Sequence, residues 1–354
     1  MSDGGDGPPG ARPDVAAAAA LEQARAAGIH MLAVPTPFLV GRVNCYLIED
    51  DPLTLVDTGP NSGKTLDELE QGLARLGRRV EDLELIVITH QHMDHLGLLE
   101  ILARRSGAEV AALDRLAPYL ENFTASATAD DAFSTAIMLR HGVPPEVVTA
   151  LGGVGASFRA FGSSGQVTMA LRDGDELTMR DRTLRVRHRP GHSPTDTVFA
   201  DVTRGILIAG DHLLSKVSSN PLISRRLPAP GDPAPAPGGE RPRALLEYIA
   251  SLQRTREMEV EIVLGGHGPP VSDHVKLIDE RLRMHERRAA KLHRMLAAGP
   301  QTAYDLASQM WGNVAVTQAF LTISEVLGHL DLLKERGEIA EDETDGEVIR
   351  FSVT

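Results

Sequence analysis

The chain has 354 residues, 42% of them hydrophobic, 24% charged and 4% aromatic, with a formal net charge of −13. That length supports a large core, most simply one big domain plus a small one, and the acidic balance works against polyanionic partners at long range. The single cysteine, Cys45, excludes an intrachain disulfide and a thiolate metal site, and no apolar run approaches the roughly 18–20 residues that cross a bilayer.

Residues 1–14 are rich in Gly, Pro and Asp and read as a disordered tail. They lack a basic start followed by an apolar stretch, so a cytoplasmic location without a signal peptide is expected. An Ala-rich helix is expected over 15–27, then strands over 31–34, 44–49 and 54–57. A turn at Gly59-Pro60-Asn61-Ser62-Gly63 leads to a helix over 64–76. The apolar run 83–88 reads as a strand and is followed directly by Thr89-His90-Gln91-His92-Met93-Asp94-His95. A helix over about 95–105 comes next, with Asp94 as a candidate cap and Gly107 just past its end. After a strand over 109–113, residues 118–165 form a mixed, largely helical insertion. Strands resume over 166–171, 176–179, 183–189, 196–201 and 205–209, with Asp173-Gly174 a tight-turn signal. A Pro-rich loop over 228–242, a helix over 243–256 and a strand over 261–264 complete this part.

The run after residue 88 packs three imidazoles and a carboxylate into six positions. Neutral imidazole and ionised carboxylate suit zinc and its borderline neighbours. Alternation along an extended backbone points His90 and His92 the same way. Asp94 and His95 follow the turn, so the two pairs can face two cations rather than one. Four more segments place a candidate ligand or its support just past a strand: Leu55-Val56-Asp57-Thr58-Gly59, Pro190-Gly191-His192-Ser193, Ala209-Gly210-Asp211-His212 and Gly265-Gly266-His267-Gly268-Pro269. Each alone is weak, because a lone His is commonly a hydrogen-bonded loop residue and an Asp after Gly a turn former. Together, in one order, they are specific.

That ordered set resembles the metallo-β-lactamase superfamily in its hydrolase branch, such as glyoxalase II-like enzymes, over about residues 30–272. The resemblance implies an α/β fold, an αβ/βα four-layer sandwich of two facing sheets with helices outside, making a catalytic domain over 15–272. It implies that His90, His92 and His192 hold a first metal, that Asp94, His95 and His267 hold a second, and that Asp211 bridges both. Asp57 would support the metal loop without ligating. His212 is expected chiefly as a structural or outer hydrogen-bonding group, with a direct catalytic role as the sharper alternative. The implied cofactors are two divalent ions, zinc first, with manganese or iron as alternatives. Such a pair, about 3.5–4 Å apart, can share a bridging hydroxide that attacks a carbonyl or phosphorus centre. Asp94 can orient that nucleophile or accept its proton.

Residues 273–298 read as one long helix stopped by Gly299-Pro300, 301–310 and 317–336 as two more, and 338–340 with 348–353 as a hairpin around an acidic tip. Three helices and a two-stranded wing make a winged-helix domain over 273–354. It resembles the one appended to a subgroup of these hydrolases that includes proteins with endoribonuclease activity. A DNA-reading module needs Lys and Arg on its third helix and wing. Residues 301–354 hold three of them against ten Asp and Glu, and phosphate contacts supply most non-specific affinity. The module is therefore expected to pack beside the active-site mouth or support a homodimer.

In the insertion, Tyr119, Phe123, Phe133, Ile137, Met138, Phe158 and Phe161 are expected first as its own core. The sharper alternative is an apolar lid over the metals, suited to an acyl chain. His141 is a candidate pocket residue there. Two functions compete: a metal-dependent hydrolase of a small ester-like substrate, with a thioester such as acyl-CoA ahead of a lactone or β-lactam, and an endoribonuclease acting on single-stranded RNA. The first is favoured. A small-molecule substrate is the expected partner, nucleic acid the less favoured one, and no membrane is expected.

Overall fold

The apolar runs become strands covered on both faces, which is why they carry few polar positions. The structure, a computed structural model, describes residues 15–232, 240–343 and 348–354. The tail expected over 1–14, part of the Pro-rich loop and positions 344–347 of the acidic tip lie outside the described residues. In chain order, α1 (Val15–Ala26) leads to β1 (Ile29–Val34), β2 (Val43–Ile48), β3 (Thr54–Val56), α2 (Gly63–Arg75) and β4 (Leu85–Ile88). Then come α3 (Met93–Leu96), α4 (Leu99–Ser106), β5 (Glu109–Leu113), α5 (Ala117–Glu121), α6 (Phe123–Arg140) and α7 (Pro145–Phe158). β6 (Met169–Leu171), β7 (Glu176–Thr178), β8 (Thr183–His188), β9 (Thr197–Asp201) and β10 (Ile206–Gly210) follow, then α8 (Ala244–Arg256) and β11 (Ile262–Gly265). The C-terminal part holds α9 (His274–Leu296), α10 (Ala303–Trp311), α11 (Val314–Thr317), α12 (Ala319–Glu335), β12 (Ile339–Asp342) and β13 (Arg350–Val353).

Strands β1 to β6 form one sheet in sequence order, and β11-β10-β9-β8-β7 form a second. Ile48, Val56 and Val87 from the first sheet share a core with Val186, Phe199 and Leu264 from the second, so the sheets lie face to face. Leu55, Ile86 and Val110 on the outer face of the first sheet pack on Leu69 and Leu73 of α2 and Leu102 of α4. Val198, Leu207 and Val263 on the outer face of the second pack on Leu245 and Leu252 of α8 and Ile278 of α9. This is a four-layer αβ/βα sandwich. The parallel strands β3, β4 and β5 end at the same edge, where ligands meet open α/β sheets.

Two local expectations change. The single helix over 95–105 is instead α3 and α4, broken at Gly97, and His92 rather than Asp94 takes the N-cap position. A Cβ on Gly97 would lie 2.2 Å from Asn61 N and Phe161 O, so only glycine lets the turn approach those backbones. The insertion also has no core of its own around its middle. Ile137, Met138, Val143 and Val148 join one cluster with Leu292, Ile323, Leu327 and Phe351. His141 is buried there, its ring stacked on Phe351 at 6.0 Å, and its carbonyl accepts from Tyr304 N at 3.2 Å. It lines the helical packing, not a substrate pocket. The C-terminal helices thus share a core with the insertion.

Candidate metal centre

One strand end of the first sheet, that of β4, and three of the second, those of β8, β10 and β11, deliver one cluster of side chains. Past β4, His90 Nε2 lies 3.0 Å from His92 Nδ1, and His192 Nε2, past β8, lies 2.9 Å from the same atom. His267 Nε2, past β11, lies 3.3 Å from Asp94 Oδ2, and His95 Nε2 lies 4.0 Å from Asp94 Oδ1. Asp211, past β10, stands between the two trios: 3.5 Å from His95 Nε2, 3.4 Å from His267 Nε2 and 3.7 Å from His192 Nε2. All seven side chains expected at the site are therefore brought together, and all but His92 are buried.

The outer ring nitrogens fix which atom faces inward. His192 Nδ1 donates to Asn220 O at 2.9 Å and His267 Nδ1 to Arg42 O at 2.8 Å. His95 Nδ1 donates to Asp57 Oδ2 at 2.7 Å. Thr89 Oγ1 gives its proton to Asp57 Oδ2 at 2.9 Å, so it accepts from His90 Nδ1, also at 2.9 Å. In their neutral form these four rings therefore present the Nε2 lone pair inward, held by partners that orient metal-ligating imidazoles. Among the described residues, His95 Nε2, His267 Nε2 and Asp211 Oδ1 are buried with no hydrogen-bond partner. Converging acceptor atoms repel unless protons or a cation lie among them. The donor set, imidazole plus carboxylate with no thiolate, fits a divalent ion of the zinc type. Gly266 leaves the space: a Cβ there would sit 2.3 Å from Asp211 Oδ1 and 2.7 Å from His95 Cε1.

Without a cation the two trios carry different charge. Burial, reinforced by neighbouring rings, pushes His90 well below its usual range and His92 down to about 3; burial also lowers His192. Burial opposes a proton on His267 too, but Asp211 and Asp94 raise it to about 10. Burial likewise opposes charge on His95, which Asp211, Asp57 and Asp94 lift well above the usual range. Burial would raise Asp94 and Asp211, yet the facing imidazoles of His95 and His267 hold both low. Asp57 sits at the hub in the left-handed region, φ +59°, a conformation that Asp tolerates better than most residues. Its Oδ1 also accepts from Thr89 N at 2.9 Å.

The profile of the Metallo-beta-lactamase superfamily matches residues 39–267, the span that carries this whole cluster. The probable metallo-hydrolase YqjP of Bacillus subtilis is 33% identical over 301 residues, 85% of this chain and 90% of that protein. The chain belongs to the metallo-β-lactamase superfamily. Among solved structures, the metallo-beta-lactamase family protein TTHA1429 of Thermus thermophilus superposes with a TM-score of 0.75 at 27% identity, covering 92% of this chain and 99% of its own. The human acyl-coenzyme A thioesterase MBLAC2 is 32% identical over 178 residues, 48% of this chain and 58% of that protein.

Within this metallo-β-lactamase chain, other polar groups have structural work. His212 turns its ring to Thr255 on α8, Nε2 to Oγ1 at 2.8 Å, and burial drives it down to about 3. Its hydrogen bond is structural, and among the described residues its ring makes no hydrogen bond to a ligand atom. A further trio, His285, Glu325 and His329, lies buried between α9 and α12. There Arg288 neutralises Glu325, His329 Nδ1 donates to Glu325 O at 2.6 Å, and His285 Nδ1 donates to His329 Nε2 at 3.1 Å. These pairings make it a packing network rather than a metal site. Three supporting groups have no signature in the sequence beyond their neighbourhood: Thr89, and the carbonyls of Arg42 and Asn220. Gln91 is a fourth, accepting from Ser193 Oγ at 2.5 Å and also from Thr195, which braces the loop that carries His192.

Proposed function

We propose that this chain is a binuclear metal-dependent hydrolase, with zinc the expected ion, acting on a thioester with an apolar acyl group. One observation carries the substrate class. Phe38 in the β1–β2 loop meets Phe158 at 5.4 Å and Phe161 at 6.2 Å between ring centroids, at the end of the insertion. The cluster borders the candidate centre: Phe161 O accepts from Asn61 N at 2.7 Å, close to the turn after His95, and Arg42 at the base of the β1–β2 loop holds His267. The next residue, Leu39, is 91% exposed. An apolar lip beside a polar centre suits a substrate with a polarised carbonyl and a greasy tail. The likeness to an acyl-coenzyme A thioesterase points the same way.

When bound, the cations would supply an ionised water near neutral pH and Lewis acidity toward the carbonyl oxygen. The chain's own residues supply the rest. Asp57, Thr89, Arg42 and Asn220 hold four rings in one tautomer, so their lone pairs stay aimed while charge develops. Asp94, held ionised by His95 and His267, is the acceptor for the attacking water's proton. Water adds to the acyl carbon, the carbon–sulfur bond breaks, and the products are a carboxylic acid and a thiol. We read α9 to α12 with β12 and β13 as a winged-helix unit that closes the site from behind. The acidic composition of residues 301–354 argues against a phosphate-binding role for it.

Purified protein supplied with zinc or manganese is to be offered acyl-CoA thioesters of increasing chain length beside labelled single-stranded RNA. Thioester turnover that improves with acyl length, with KM for long chains rising several-fold in Leu39→Ser, is the expected result. RNA cleavage abolished by His92→Ala, without thioester turnover, would overturn the proposal in favour of the endoribonuclease.

A further inference from the structure

Four inward-facing rings owe their orientation to an outer acceptor, and three of those acceptors belong to the sandwich. Asp57 follows β3 and its own N–H is bonded to Val87 O of β4. Thr89 follows β4, and Arg42 precedes Val43, which bridges His267 directly. The fourth differs. His192 rests on the carbonyl of Asn220, in a stretch from Asp211 to Ile223 that has neither helix nor strand. A carbonyl in irregular backbone orients a ring only as well as its own loop is held.

That loop is held from the C-terminal helices. Asn220 Nδ2 donates to Leu321 O of α12 at 3.0 Å, and Ile223 N donates to Ser324 Oγ at 3.4 Å. The Ile223 side chain is buried in the core that contains Ile323 and Leu327. From α9, Arg281 Nη2 donates to Leu214 O, Ser215 O and Val217 O at 3.2, 3.3 and 3.1 Å. Inside the loop, Ser219 Oγ donates to Asp211 O at 2.5 Å. We propose that Asn220 is a positioning residue: its side chain ties α12 to the carbonyl that orients His192, so the C-terminal helices set the affinity of the His90, His92 and His192 trio. The Asp94, His95 and His267 trio, anchored within the sandwich, is independent of that tie. A connection of this kind gives the C-terminal part a role in metal loading without reaching substrate.

This inference rests on the binuclear reading above, and the test separates the two. Zn2+ and Co2+ titrations of the full chain, with competing chelator, give the affinity of each equivalent; His92→Ala identifies the step that belongs to the histidine trio. Wild type takes up two equivalents. Asn220→Ala keeps the carbonyl and removes only the tether, and it is expected to weaken the same step as His92→Ala by about 10- to 100-fold, the range for lost outer partners of metal ligands. The other step should stay unchanged, and the metal-free melting temperature nearly so. Arg281→Met, which loosens the same loop from α9, is expected to weaken that step too and keeps the test alive if Asn220→Ala folds poorly. A folded Asn220→Ala with both affinities unchanged, or both lowered equally, overturns the inference while the binuclear reading stands. Fewer than two equivalents on wild type overturns the reading beneath it.

Discussion

The two trios meet at Asp211 yet solve the same problem with opposite electrostatics. His90, His92 and His192 are three buried imidazoles whose neighbours and surroundings disfavour protons, so their lone pairs are free near neutral pH. His95 and His267 face Asp94 and Asp211, and those carboxylates hold protons on the rings until something more positive replaces them. A cation entering the first trio displaces no proton, whereas one entering the second must compete with protons for the same nitrogens. Burial is similar on both sides. The difference lies in whether a carboxylate shares the pocket.

Removing metal is the harshest way to test that contrast. Chelation is expected to abolish turnover and to lower the melting temperature; an ion present at about 1,000 times its Kd stabilises by about 4 kcal/mol. Loss in two resolved steps would support two unlike trios, while a single cooperative step would merge them. Gly266→Ala comes next. Its Cβ would press on Asp211 Oδ1 and His95 Cε1, so it strikes the group the trios share. Both uptake steps should weaken, by about 100-fold, when measured by competition with a chelator. Asp57→Asn is gentler and uneven. It replaces the carboxylate that accepts directly from His95 and, through Thr89, supports His90. The step belonging to the carboxylate-bearing trio should weaken by about tenfold and the other by less; equal losses would mean that Asp57 props the whole edge instead.

How much of this was legible in the sequence depends on whether a feature is local. The strands ending at Ile88, Gly210 and Gly265 and the ligands just beyond them are short patterns in which residue type and chemistry coincide, and the structure gathers all seven side chains at one edge. The acceptors behind them were harder to foresee. Arg42 and Asn220 act through their carbonyls, which any residue has, so nothing in the side-chain alphabet marks them. His212 follows Asp211 in sequence, but the turn sends its ring to Thr255, and only packing decides that. The break at Gly97 needs the backbones of Asn61 and Phe161, 36 and 64 positions away. The core shared by Ile137 and Phe351 likewise joins residues more than 200 positions apart. Periodicity along one helix reports that a face is apolar, not which distant element covers it.

The finest test of the contrast is the stability of the metal-free protein against pH. His267 has its pKa raised from 6.5 to about 10 in the fold. Its proton therefore stabilises the folded state fully below pH 6.5, and that contribution is lost as pH rises through about 10. His92, lowered from 6.5 to about 3, works in the other direction. It costs nothing above pH 6.5 and removes stability as pH falls toward about 3, a limb it shares with Asp94 and Asp211, whose low pKa values act with the same sign. The alkaline limb thus separates the carboxylate-bearing trio from the histidine trio, whose lowered rings contribute nothing there. Thermal melts of chelator-treated protein between pH 7 and 10 should show a decline of a few degrees, since about 1 kcal/mol moves a domain of 150–250 residues by only about 2–4 °C. His267→Gln should flatten that limb and leave the acid limb in place. If the metal-free protein is equally stable at both ends of that range, His267 holds no proton there and the two trios are electrostatically alike.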